Sequence, residues 1–174
     1  MMAHHAEGQQ RIVVGVSGSP ASRAALAWAA HEAHARQALL LAVHAWEPTH
    51  LLRAPYAPAP SHRTAGEDQD LAQRTLDIAI ADAVPAGLDV EVHTVVAQGL
   101  PAAVLLQHCG QALMLVLGHR APQRSAPVSA GPVTRVCTAR ACCPVVSVPT
   151  EAPAGHARRT AAPAEHNERA LTSG

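Results

Sequence analysis

The sequence predicts a three-layer α/β domain, in which a doubly wound parallel sheet of five strands lies between two layers of helices. Short aliphatic runs alternate with segments of helical periodicity along the chain, and such alternation implies parallel strands joined by crossover helices. The length of 174 residues suits one domain with one core. Hydrophobic residues make up 48% of the chain but aromatic residues only 2%, so the core must consist of Ala, Val, Leu and Ile.

The first three elements are expected to form a βαβ unit. Residues 11–16 are an almost continuous apolar run, which is typical of a strand covered on both faces. A helix is predicted over 20–36, because Ser19 is a favourable N-cap and Pro20 suits the first helical position. Residues 39–45 are again apolar and predict a second buried strand.

The middle of the chain contains a loop, a helix and a strand of a different type. Several prolines and little periodicity predict a mobile surface loop over 47–66. Apolar residues at helical spacing predict a helix over 67–83. Residues 88–96 alternate between apolar and polar side chains, which predicts an edge strand with one wetter face.

Two further helix–strand pairs complete the predicted sheet. A short helix over 100–109 opens with a proline, and the apolar residues 112–117 predict a buried strand that ends at Gly118. A helix over 132–140 and a last strand over 144–148 follow.

The two ends of the chain lack periodicity. Residues 1–10 are polar, and residues 150–174 are rich in Ala, Pro, Arg, Glu and His, so both segments are predicted to be disordered. The folded domain is therefore expected to span 11–149.

Composition and charge argue against several classes of function. Thirteen Arg and no Lys balance thirteen acidic residues, whereas a nucleic-acid-binding protein normally carries a basic excess. No run approaches the roughly eighteen apolar residues of a membrane span. The N-terminus lacks the apolar core of a signal peptide, and four cysteines occur without secretory context, so a reduced, cytoplasmic protein is expected. No catalytic or metal-binding motif is evident, so neither an enzyme nor a metal site is expected.

A glycine-bounded loop between the fourth strand and the last helix is a candidate ligand site. Ligands of such folds bind beyond the carboxyl ends of the strands, where the strand order reverses. Gly118 ends a strand and Gly131 opens a helix, whose N-terminal N–H groups and dipole favour an anion. His119, Arg120 and Arg124 place polar or cationic groups between them.

Four stretches of sequence carry a family resemblance. They are VVGVSGSPASRAALAWA at the start, LLAVHAW in the second strand, VLGHRA after the fourth strand and CCPVVSVP at the end. In this conjunction and order they resemble the universal stress protein family over residues 11–149. The resemblance implies a Rossmann-like sheet with strand order 3-2-1-4-5 and a homodimer formed through the last strand, 144–148. It also implies a cytoplasmic stress-response protein with a regulatory or protective role and a protein partner of unknown identity.

Members of this family that bind ATP have an Asp after the first strand and a loop of the form G-x2-G-x9-G-[ST]. Here Ser17 replaces the Asp, Ala121 replaces the middle Gly and Pro132 replaces the Ser or Thr. Ser17 cannot accept two hydrogen bonds as a carboxylate can, so contacts to the ribose should weaken. Ala121 adds a Cβ where the phosphates approach, and Pro132 removes a hydroxyl and a backbone N–H from the phosphate-facing turn, so weakened ATP binding is expected. The resemblance implies a nucleotide-binding set of Gly15, Ser17, Val43, Leu117, Gly118, Ala121, Gly131, Val133 and Thr134.

Two functions follow from this resemblance. The preferred hypothesis is a dimeric stress-response module with a degenerate nucleotide cleft. The alternative is an ATP-binding switch, in which Arg120 or Arg124 supplements the phosphate contacts and ATP is hydrolysed at most slowly.

Three shorter patterns have plainer interpretations. Residues 15–22 are similar to the phosphate loop of ATP pyrophosphatases but lack its second Gly and its Asp, and a helix N-cap explains them. His31 and His34 share a helix face without an evident third ligand, so a solvated face is favoured over a metal site. Cys142 and Cys143 favour packing as small hydrophobes, and the alternative is a disulfide across the dimer under oxidative stress.

Overall fold

The computed structural model describes residues 10–48, 63–120 and 130–150 of the chain. These residues do not include Ala121, most of the predicted loop 47–66, or nearly all of the two ends that are predicted to be disordered. Strands and helices alternate through the described part: β1 Arg11–Gly15, α1 Pro20–Ala35, β2 Leu39–Trp46, α2 Ala65–Ala83, β3 Val92–Gln98, α3 Pro101–His108, β4 Met114–His119, α4 Pro132–Arg140 and β5 Val145–Pro149.

The strands form one parallel sheet in the order β3-β2-β1-β4-β5, which confirms the predicted order and fold class. β1 lies at the centre, where Val13 is the partner of Leu41 on β2 and of Leu115 on β4. From β1 the chain forms β2 and β3 on one side of this central strand, and it then returns to form β4 and β5 on the other side. A crevice is therefore expected beyond the carboxyl ends of β1 and β4.

Alternate residues of β1 belong to two cores on opposite faces of the sheet. Ile12 and Val14 are fully buried in the core that α1 and α2 cover, whereas Val13 is fully buried in the core that α3 and α4 cover. The α1 surface in the first core includes Ala25 and Ala29, whose short side chains allow the helix to approach the sheet closely. The aliphatic core predicted from the composition is confirmed.

Local capping explains where the first two helices begin. The Ser19 hydroxyl accepts a hydrogen bond from the Ser22 backbone N–H at 3.2 Å, and Pro20 is the first residue of α1, as predicted. Thr64 and Glu67 form a reciprocal capping box at the start of α2. Because this box places Ala65 in the helix, the last two residues of the predicted loop 47–66 are helical, which corrects that boundary.

Two residues predicted to be disordered are instead hydrogen-bonded to the sheet. The Gln10 carbonyl accepts a bond from the Leu39 N–H at 2.9 Å, and the Thr150 N–H donates to the His119 carbonyl at 3.0 Å. The ordered domain therefore extends by one residue at each end of the predicted span 11–149.

The edge strand β3 begins later than the sequence pattern suggests. Leu88 and Val90 pack against the first core, which accounts for the alternation that starts there. The Val90 N–H, however, bonds locally to the Leu88 carbonyl at 2.9 Å, so regular pairing with β2 begins only at Val92. Of the helices in the described part of the chain, none is long and apolar enough to span a membrane.

Candidate functional site

A cleft opens beyond the carboxyl ends of β1, β2 and β4, where the N-termini of α1, α3 and α4 converge. Its volume of ≈ 340 Å³ lies within the range of about 300–1,000 Å³ that is typical of small-molecule sites. Every described residue of the predicted nucleotide-binding set lines it: Gly15, Ser17, Val43, Leu117, Gly118, Gly131, Val133 and Thr134. Ala121 lies outside the described residues. The structure thus brings together residues that are more than a hundred positions apart in sequence.

The loop after β1 is held against β2. The Val16 N–H donates to the Val43 carbonyl at 2.9 Å, and the Val16 carbonyl lies 2.6 Å from His44 Nδ1. These two contacts fix the backbone from which Ser17 projects. The Ser17 hydroxyl lies 3.0 Å from the Ser19 hydroxyl, which also caps α1. A neutral hydroxyl pair therefore lies where the resemblance implies a carboxylate in proteins that bind ATP.

The inner wall of the cleft is apolar. Val43 and Leu117 are almost fully buried, and Ala45 and Leu105 complete the wall. Such a surface suits the flat, weakly polar faces of an aromatic base better than a charged group, because burying an unpaired charge is costly.

The predicted site glycines have different physical roles. A Cβ atom on Gly118 would lie 2.1 Å from the Ala21 carbonyl oxygen and 2.8 Å from the Ser22 nitrogen. This glycine is thus required by the close approach of β4 to the first turn of α1. A Cβ on Gly131, in contrast, would meet no atom of the described residues within 4 Å. Gly131 lines the cleft, so a side chain there would take up space at the ligand site.

The N-terminus of α4 forms the polar end of the cleft. Gly131 is its N-cap and provides no side-chain hydrogen bond, and Pro132 occupies the first helical position, where its missing N–H would lack an intrahelical partner anyway. The backbone N–H groups of Val133 and Thr134 follow in the same turn, and both residues line the cleft. This turn can offer two amides and the buried Thr134 hydroxyl to an anion.

The charged and titratable groups at the cleft favour an anionic ligand. His119 and Arg120 line it, and among its described lining residues there is no Asp or Glu. The Ser147 hydroxyl lies 3.0 Å from His119 Nδ1, which leaves the other ring nitrogen for a ligand. Arg120 is exposed and supplies a permanent positive charge at the rim.

Several lining residues lie outside the predicted nucleotide-binding set. Pro101 and Leu105 come from the first turns of α3, and their only signal is topological, because strand order 3-2-1-4-5 brings the helix N-termini to one end of the sheet. Ser19, the N-cap of α1, and Ser22 in its first turn belong to the stretch 15–22, which the sequence explains as a helix N-cap.

The histidines and cysteines away from the cleft also have defined surroundings. His31 and His34 are exposed on α1, and His34 Nδ1 lies 2.7 Å from the Asp89 carbonyl oxygen. Within the described ranges, no group of three or more His, Cys, Asp or Glu residues is placed to hold a metal ion. Cys142 is exposed, so the interpretation that it packs as a small hydrophobe is wrong, because the turn before β5 leaves it at the surface.

Comparison with the sequences of known proteins agrees with the resemblance. The model of the universal stress protein family matches residues 9–149. A universal stress protein of Mycobacterium tuberculosis and one of Mycobacterium bovis are each 32% identical to the chain over 111 residues, which are 62% of this chain and 34% of theirs. The chain therefore spans about a third of the length of the curated relatives that it matches.

Solved structures share the same fold. A universal stress protein from Archaeoglobus fulgidus superimposes with a TM-score of 0.62 at 24% identity, over 80% of this chain and 98% of that one. A universal stress protein in complex with cAMP gives a TM-score of 0.52 at 20% identity, over 82% and 98% of the two chains. At these identities the likeness establishes the fold alone.

Proposed function

Because the chain belongs to the universal stress protein family, we propose that it is a cytoplasmic stress-response module that binds adenine nucleotides weakly and acts as a homodimer. Its role is regulatory or protective rather than catalytic. The observation that supports the nucleotide site is the cleft itself, which joins an apolar wall to a helix N-terminus without a side-chain cap. One relative of the same fold is a complex with cAMP, which is an adenine nucleotide.

The apolar end of the cleft is suited to the base. Val43 and Leu117 offer a buried, preformed surface, and the fixed loop at Val16 limits its reorganisation on binding. A site that is already ordered loses less conformational entropy when the ligand enters.

The polar end retains part of a phosphate site. The amides of Val133 and Thr134 and the charge of Arg120 favour phosphate oxygens. Ser17 provides a hydroxyl in place of a carboxylate, and hydrogen bonds to a charged group are worth about 1.5–3 kcal/mol against about 1 kcal/mol for neutral ones. The cleft should therefore select adenine nucleotides but bind them with low affinity.

The proposed dimer uses the edge strand β5. Among the described strands β5 pairs only with β4, so one side of it presents backbone N–H and C=O groups to a second strand. All four cysteines are free thiols, in keeping with a reduced compartment such as the cytoplasm.

The alternative function is an ATP-binding switch of the same family. It requires that Arg120 and the first turn of α4 compensate for the missing carboxylate and hold the triphosphate tightly. Slow ATP hydrolysis would then accompany binding.

Calorimetric titration of nucleotide-stripped protein with ATP and Mg²⁺, and in parallel with AMP, tests the proposal. Weak binding is expected, with a dissociation constant of about 0.1–1 mM for the better ligand. Gly131→Val should abolish the heat, because Gly131 lines the cleft and its added side chain would occupy space that the ligand needs, while its Cβ meets no atom of the described residues within 4 Å.

Gly110→Val is the matched control, because a Cβ on Gly110 also meets no atom within 4 Å among residues 10–48, 63–120 and 130–150, and Gly110 does not line the cleft. Micromolar ATP binding that Gly131→Val weakens would instead support the switch. The absence of any heat or thermal stabilisation at millimolar nucleotide would contradict an adenine-nucleotide site.

A further inference from the structure

Four thiols converge on the side of the domain that α3 and α4 cover. Cys109 is the C-cap of α3, Cys137 lies on α4, and Cys142 and Cys143 lie in the turn before β5. We refer to these four residues as the thiol cluster. Three separate elements supply its members, so the cluster exists only in the folded chain.

Two members of the thiol cluster, Cys109 and Cys142, approach each other closely. Their sulfur atoms lie 3.8 Å apart although the residues are separated by 33 positions. The Cys142 sulfur also lies 3.7 Å from the Cys109 carbonyl oxygen, which keeps the two residues side by side. A disulfide needs a sulfur–sulfur distance of about 2.05 Å, so a movement of the turn at Cys142 by about 2 Å suffices to form one.

The four thiols differ in solvent exposure and in pKa. Cys142 is exposed, whereas Cys109 and Cys137 are fully buried. Burial and the neighbouring Cys109 raise the pKa of Cys143 to about 11, and the same two causes raise the pKa of Cys137. Because the thiolate is the reactive form, these raised pKa values make Cys137 and Cys143 poorer nucleophiles near neutral pH.

We propose that Cys142 is a peroxide-reactive modification site and that Cys109 is its resolving thiol. The oxidant is hydrogen peroxide or another small hydroperoxide. The Cys142 thiolate attacks one peroxide oxygen, the O–O bond breaks, and the leaving hydroxide takes a proton to become water. Cys142 is thereby oxidised to a sulfenic acid.

The second step forms the disulfide. The Cys109 sulfur attacks Cys142 Sγ, the S–O bond breaks, and the hydroxyl leaves as water with the proton of the Cys109 thiol. In sum, two thiols and one hydrogen peroxide give one disulfide and two waters, and the peroxide oxygens are reduced. The product links the end of α3 to the turn before β5 within one chain, in contrast to the disulfide across a dimer that the sequence suggested.

The geometry favours the intramolecular product over a linked dimer. Cys109 is held beside Cys142 in every folded molecule, so the second step is not a bimolecular encounter. A disulfide between the adjacent Cys142 and Cys143 would require a strained ring, and Cys109 avoids that strain.

Treatment of the reduced, full-length chain with hydrogen peroxide tests the proposal, followed by denaturation without reductant and mass spectrometry. We expect an intact mass lower by two hydrogens, no disulfide-linked dimer, and a linked peptide pair that contains Cys109 and Cys142. Cys142→Ser should abolish this linkage, whereas Cys143→Ser, its neighbour and matched control, should retain it. Neither Cys142 nor Cys143 is fully buried, so neither substitution places a serine in the fully buried core.

A third variant separates the two steps. Cys109→Ala should stop the reaction at the sulfenic acid, which dimedone then labels at Cys142. A linked dimer, a linkage of Cys142 to Cys137 or Cys143, or a disulfide that forms unchanged in Cys142→Ser would overturn the proposal. So would the absence of both disulfide and dimedone adduct in peroxide-treated protein.

Discussion

Replacement of Gly118 by alanine should strongly destabilise the domain. The added methyl would lie 2.1 Å from the Ala21 carbonyl oxygen and 2.8 Å from the Ser22 nitrogen, both of which are backbone atoms that cannot rotate away. Relief requires α1 to move from β4 by about 1 Å, and overpacking of this kind costs about 1–3 kcal/mol. The shift would also disturb the Ser19–Ser22 cap, worth about 1 kcal/mol, so we expect a total loss of about 2–4 kcal/mol.

Guanidinium denaturation followed by circular dichroism measures this loss. Heating should show a fall in Tm of about 10 °C, since 1 kcal/mol corresponds to about 2–4 °C at this chain length. Gly131→Ala is the control, because its Cβ would meet no atom of the described part of the chain within 4 Å, and we expect a cost of at most about 1 kcal/mol from the poorer N-cap. Equal stability of Gly118→Ala and wild type, or a larger loss for Gly131→Ala, would refute the assignment of these two glycines.

Two further predictions concern a helix cap and a thiol. Thr64→Ala should lower the free energy of unfolding by about 1 kcal/mol through loss of the capping box. Thr75→Ala, at a half-buried position inside the same helix where the hydroxyl bonds back to the Leu71 carbonyl, should cost less, and equal losses by urea denaturation would contradict this. Folding raises the pKa of Cys143 from 9.0 to about 11, so its contribution to stability is fully present below about pH 9 and is lost as the pH rises towards 11. The difference in unfolding free energy between wild type and Cys143→Ser should shrink over that window, and a constant difference would argue against the raised pKa.

The fold was predictable because local signals and topology agree. Continuous apolar runs marked β1, β2 and β4 as strands covered on both faces, and alternation marked β3 as an edge. The residues at which helices and strands begin were less predictable. The Thr64–Glu67 capping box is visible in the sequence, but it follows a proline-rich stretch that indicates a loop. At Leu88 the side chains follow a strand pattern although the backbone bonds locally.

The site was predictable only where a motif or the sheet topology pointed to it. Every described residue of the predicted set lines one cleft, but the sequence does not reveal that Gly118 packs against Ala21, which is far away in the chain. The same holds for the thiol cluster. No C-x-x-C spacing links Cys109 to Cys142, and the two meet only because α3 and the turn before β5 are neighbours in the folded domain.

The most direct test of the proposed weak nucleotide binding introduces at position 17 the carboxylate that the family resemblance implies. In Ser17→Asp the carboxylate replaces a hydroxyl that lines the cleft and lies 3.0 Å from the Ser19 hydroxyl. Calorimetric titration with ATP and Mg²⁺ should show affinity increased by about 2- to 30-fold, because a charged hydrogen bond contributes about 0.5–2 kcal/mol beyond a neutral one. Ser17→Asn is the matched control, because asparagine has the size of aspartate but no charge, and this variant should bind ATP with the affinity of the wild type. Unchanged or weaker binding by Ser17→Asp would contradict the claim that the absent carboxylate limits the affinity of this cleft.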